Sequence, residues 1–170
     1  MQVLKKLLKS NFNYLPVGIF SFFKKNKDIF SAPERERIVE AIRNAERQTS
    51  GEVRIFIESR NPFVNVLDRA SEIFFKLKMQ ETDDRNAVLL YIAMKDHQLA
   101  LFGDEGIHKQ VGEAYWKNEV AEMIANFTKD DVATGIVNCV THIGQALKEK
   151  FPYDAKVDKN ELPDDIVFGR

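Results

Sequence analysis

Long hydrophobic runs are missing from this chain. No apolar stretch approaches the roughly 20 residues that a membrane-spanning helix needs, so no spanning segment is predicted. Cysteine is nearly absent: Cys139 is the only one, which excludes an intrachain disulfide and is compatible with a reducing compartment. Excess charge is absent too. The formal net charge is −1, with 25 basic and 26 acidic residues, and this balance argues against a general nucleic-acid binder. Internal repeats and low-complexity tracts are also lacking. What remains is 170 residues, 44% hydrophobic and 30% charged, the composition and length of one soluble globular domain.

The near-neutral total hides an asymmetry. Residues 1–29 carry Lys5, Lys6, Lys9, Lys24, Lys25 and Lys27 against Asp28 alone, so the remainder is acidic. This basic, aromatic segment is read as an N-terminal arm that packs on the domain or stays mobile, or else lies on an anionic membrane surface. A cleaved secretory signal is the third reading. It is the weakest, because Pro16 and Gly18 interrupt the apolar part and no small-residue cleavage site follows.

The domain proper is expected over residues 30–151. Ser31 and Glu34 have the spacing of a capping box, and Pro33 falls in the first turn, where its missing N–H costs nothing. Ile38, Val39, Ile42 and Ala45 then give a helical apolar face, with Gly51 as the expected stop. Val53, Ile55 and Ile57 alternate as a strand. Leu67, Ala70, Phe74 and Leu77 mark a second helix to about Lys78. AVLLYIA, residues 87–93, is apolar without alternation and predicts a central strand covered on both faces. LALF, residues 99–102, returns beside it after the MKDHQ turn.

GDEGIHKQVG reads as a loop ending in a short helical turn, and a helix carrying Trp116, Val120, Met123, Ile124 and Phe127 begins at Glu113. Trp116 and Tyr115 are expected to pack this helix on the sheet. Thr128 and Asp131 resemble the start of a last helix, which runs to about Lys150 with Val132, Ile136, Val140, Ile143 and Leu147 inward. Residues 152–170 read as an extended tail whose LPDDIVF segment has the apolar character to dock. The fold expected is α/β: a three-layer α/β/α sandwich around a small mixed, Rossmann-like sheet, with helices on both faces. The first two strands, joined through a helix, run parallel.

This topology has a chemical consequence. In an antiparallel pair the start of one strand lies beside the end of the other. Asp83 and Asp84 precede the second strand; Asp104 and Glu105 follow the third. Glu52, opening the first strand, belongs to the same end. Five carboxyl groups in one neighbourhood repel, and solvent, Arg85 or a bound cation must offset that repulsion. Hard cations such as Ca²⁺ and Mg²⁺ take oxygen ligands of this kind. The expected metal ligands are therefore Asp83, Asp84, Asp104, Glu105 and Glu52. The competing reading is that Arg85 pairs with Asp104 or Asp84 and leaves no site. The spacing is not that of an EF-hand. Cys139 and His142, at helical spacing, are two potential zinc ligands where four are usual, and read as a buried thiol beside a helix histidine.

TSGEVRIFIE, then DDRNAVLLYIA, then ALFGDEGI and a Trp-bearing helix together resemble the TPM domain family, over about residues 30–150. The resemblance implies an α/β/α sandwich with a Rossmann-like sheet and a divalent cation, Ca²⁺ or Mg²⁺, in acidic loops. The matching positions are Asp83, Asp84, Asp104 and Glu105. Where the family loop tends to read G-Y-G-L-E, this chain has Gly103, Asp104, Glu105, Gly106, Ile107 and His108, so its acids are shifted. The expected role is a non-catalytic adaptor or regulatory module with an unidentified protein partner. Some members of the family are described as phosphatases, which makes a weak metal-dependent phosphatase the alternative. No C-x5-R, D-x-D-x-[TV] or phosphate-loop motif accompanies it. A third alternative is a peripheral membrane or protein interaction module that uses the arm. No organic cofactor is expected, and the expected location is cytoplasmic or peripheral at the membrane.

Overall fold

The computed structural model describes residues 29–63, 65–96, 98–127, 132–154, 163 and 165–169. The readings of the N-terminal arm and of Thr128 with Asp131 fall outside them.

Helix α1, Ala32–Glu46, starts as its sequence requires. The Ser31 side chain accepts from the Glu34 backbone N–H, and the Glu34 carboxylate accepts from the Ser31 N–H at 2.7 Å. Two orphan donors of the first turn are thereby satisfied. Gly51 is not the stop, because α1 ends at Glu46 with Arg47 as its cap. Gly51 is small for packing: a Cβ there would lie 2.6 Å from Leu147.

Strand β1, Val53–Glu58, leads through Asn65, whose side chain accepts from Leu67 N, into α2, Val66–Lys76. A short 3-10 turn over Met79–Glu81 and a polar loop then feed β2, Val88–Ala93. Strand β3, Gln98–Gly103, pairs antiparallel with β2, and β1 pairs parallel with β2 as the crossover predicts. The tail docks: β4, Ile166–Phe168, adds parallel to β1 and gives the order β3-β2-β1-β4.

Helix α3, Glu105–Phe127, begins earlier than the sequence suggests. The segment read as a loop is helical up to a break at Gly112, whose φ of 75° places it where only glycine sits without strain. Helix α4, Val132–Lys150, packs along α1 and α3 and against β1.

The layers follow from side-chain parity. Val53, Ile55, Ile57, Val88, Leu90, Ile92, Leu99 and Leu101 face α1, α3 and α4. Phe56, Leu89, Tyr91, Ala93, Ala100 and Phe102 face α2 and Met79. Strand β2 is buried along its whole length, as its unbroken apolar run requires. Trp116 is in the core, with its ring against Gly103. Among the described residues, the result is an α/β sandwich with three helices on one face of the sheet and one on the other. Among the described residues, no helix is long and apolar enough to cross a membrane.

Candidate functional site

The β2–β3 register sets Val88 opposite Gly103, so the loop of residues 83–86 and the first turn of α3 meet at one end of the sheet. Backbone bonds fasten them: Asp104 N donates to Ala87 O at 2.9 Å and Gly106 N to Arg85 O at 2.9 Å. The approach is close enough to require glycine, since a Cβ on Gly106 would lie 2.2 Å from the Asp84 carbonyl oxygen.

Within this rim the predicted residues divide. Arg85, held in the left-handed region at φ 53°, turns its guanidinium onto Asp104. Nε donates to Oδ2 at 2.7 Å and Nη2 to Oδ1 at 2.9 Å, while Nη1 reaches Glu105 at 3.4 Å. Asp104 is also capped by its neighbour's backbone, Glu105 N at 2.8 Å. Its carboxylate is buried, and the ion pair raises the Arg85 pKa further above its ordinary value. Arg85 is thus the positive companion for one half of the acids.

The other half lies across the β1–β2 junction. Asn86, fully buried, donates from Nδ2 to Ser50 Oγ at 3.1 Å, and Ser50 Oγ donates to Asp84 Oδ2 at 2.9 Å. The opposite atom of the same amide, Asn86 Oδ1, is buried and, among the described residues, accepts no hydrogen bond. Asp83 and Asp84 are exposed. Glu52 is buried at the head of β1, and its charge, with that of Glu46, acts on the buried Arg54. Burial lowers the Arg54 pKa, and these acids work against the shift. Fold and register therefore bring all five predicted positions to one end. No three of them bring ligand oxygens within 4.8 Å of one another.

Among the described residues, one group of three does converge to that degree, and it lies elsewhere: Glu119 and Glu122 on α3 with His142 on α4. No spacing along the chain joins them, because the two glutamates and the histidine stand on different helices. A groove of 990 Å³ between α1 and α4, lined by Glu36, Arg37, Glu40 and Lys148 among others, contains none of the rim acids.

The comparisons with known proteins agree with this architecture. The family model for the TPM domain matches residues 23–146. The chain therefore belongs to the TPM domain family. Its structure is similar to the NMR structure of the BA42 protein from the psychrophilic bacterium Bizionia argentinensis. That likeness has a TM-score of 0.79 and 35% identity, and covers 86% of this chain and 100% of that one. The N-terminal domain of the cg2496 protein from Corynebacterium glutamicum shares the fold, at a TM-score of 0.56 and 11% identity, over 90% of this chain and 95% of that one. The comparison with curated proteins finds no significant match.

Proposed function

We propose that this chain is a non-catalytic TPM module that holds a hard divalent cation, Ca²⁺ or Mg²⁺, at the rim where β1, β2 and β3 meet. The observation that carries the reading is the string Asn86–Ser50–Asp84. It is built of oxygen donors and hydrogen-bonded in series, and it includes a buried amide oxygen with no donor of its own. A buried acceptor left unsatisfied costs about 1–3 kcal/mol, and a cation or its bound water removes that cost. The donor chemistry suits the ion, since every group on offer is a carboxylate, hydroxyl, amide or carbonyl oxygen.

Asp84 anchors the ion in this reading, with Asp83 exposed beside it and Ser50 supporting it. Asp104 has both oxygens on Arg85 and acts by fixing the loop. Glu105, only loosely held by Arg85, and Glu52 add negative charge to the same end. Bound, the ion would offset the remaining negative charge of Asp83, Asp84 and Glu105 and stiffen the rim, which makes it a surface whose order depends on cation supply. A regulatory or adaptor role fits that property.

The test is calorimetric titration of Ca²⁺ and Mg²⁺ into wild type, Asp84→Asn and Arg85→Met. One saturable site is expected in wild type. Asp84→Asn should weaken it at least about tenfold, the loss of one charged ligand, while Arg85→Met should tighten it several-fold by removing a nearby positive charge. Wild type and Asp84→Asn behaving alike would overturn the proposal.

A further inference from the structure

We propose a second metal site in the seam between α3 and α4, in which Glu119, Glu122 and His142 hold a borderline transition-metal ion of the Zn²⁺ class. One ligand atom from each lies within 4.8 Å of the other two. The His142 ring nitrogen Nδ1 faces two carboxylate oxygens at once, Glu119 Oε2 at 3.2 Å and Glu122 Oε2 at 3.3 Å. A single ring N–H cannot serve both well, whereas one cation between three electron-rich atoms can. Among the described residues, no lysine or arginine forms an ion pair with either glutamate, although the Glu119 side chain is only 10% exposed. Burial raises its carboxyl pKa, and His142 opposes that shift.

Two further features surround the triad. Tyr115, one turn before Glu119, donates its hydroxyl to the His142 carbonyl oxygen at 3.2 Å and pins the helices together at this level. Cys139, one turn before His142, is a buried free thiol whose pKa is raised by burial and then by the charges of both Glu119 and Glu122. A soft donor therefore lies in the field of the same two carboxylates. The sequence offered only Cys139 and His142, too few for zinc; the fold adds two glutamates from the facing helix. An i, i+3 pair on one helix and an imidazole on its neighbour is a ligand arrangement that helix pairs support. The mixed nitrogen and oxygen set favours Zn²⁺ over Ca²⁺ or Mg²⁺, which separates this seam from the all-oxygen rim. Glu122 and His142 are partly exposed, so the ion has a path in and positions open to water.

The experiment is a Co²⁺ titration of the tag-free full chain, read by visible d–d absorption and followed by Zn²⁺ displacement. Absorption saturating at one equivalent and abolished by Zn²⁺ is expected. His142→Ala and Glu122→Gln, both at partly exposed positions, should each weaken Co²⁺ at least about tenfold. Asp84→Asn should change nothing, so failure here and failure at the rim are distinguishable. Featureless spectra in wild type, or equal affinity in His142→Ala, would overturn the site and leave a histidine clasped by two acids.

Discussion

Replacing Arg85 with methionine isolates the electrostatic premise of the rim. The substitution keeps the aliphatic stem and deletes two charge-assisted hydrogen bonds to Asp104, whose side chain is 6% exposed. A hydrogen bond to a charged group contributes about 1.5–3 kcal/mol. The Arg85 side chain is 38% exposed, so solvent screening reduces the pair to a net of about 2 kcal/mol. Urea unfolding with a slope of about 2 kcal/mol per molar would then show a midpoint lower by about 1 M. Arg85→Gly provides an internal control. It loses the same bonds but relieves a left-handed residue at φ 53°, worth about 1 kcal/mol, and should fall between wild type and Arg85→Met. Millimolar Ca²⁺ should recover part of the loss in both variants. A midpoint for Arg85→Met within about 0.5 kcal/mol of wild type, without added metal, would refute the premise that Asp104 needs a positive companion.

Other expectations follow from single contacts. Gly106→Ala places a methyl group 2.2 Å from the Asp84 carbonyl oxygen, and should cost about 1–3 kcal/mol in urea unfolding and weaken the rim's cation affinity. Arg69→Ala strips two hydrogen bonds from Glu58, whose side chain is 2% exposed, and should cost about 3–5 kcal/mol by the same assay. Burial, and then the hydrogen bond to Glu58, raise the Tyr91 pKa above its ordinary 10.0. The folded state therefore holds this proton more tightly than the unfolded state. Its contribution is complete below about pH 10 and declines above it, and Tyr91→Phe should flatten the decline seen in pH-dependent unfolding. Cys139, buried and with its pKa raised, should resist iodoacetamide in the native protein and react once it is unfolded.

Much of the fold could be read from local chemistry. The Ser31–Glu34 box and the unbroken apolar run of β2 each point to the element that forms there. The rim was legible for a topological reason: pairing β2 with β3 in antiparallel fashion brings residues 84 and 104 to one end whatever the details. Glycines were harder to interpret. Gly103 and Gly106 looked like loop formers, yet they accommodate Trp116 and the Asp84 carbonyl, while the true helix break is Gly112. Close packing and a positive φ leave the same letter in the sequence. Arg85's choice of Asp104 over Asp84 depends on a left-handed backbone angle that no spacing rule encodes. The Glu119–Glu122–His142 group depends on the pairing of α3 with α4, and spacing along the chain pointed to His142 with Cys139 but to neither glutamate.

The central claim is that the rim binds a hard cation, and residue-resolved amide shifts during a Ca²⁺ titration test it most directly. Saturable shifts confined to residues 50–52, 83–86 and 103–107, saturating at least about tenfold higher in Asp84→Asn, are the predicted result. A spectrum that stays unchanged at millimolar Ca²⁺, or shifts clustered on α3 and α4 instead, would contradict it.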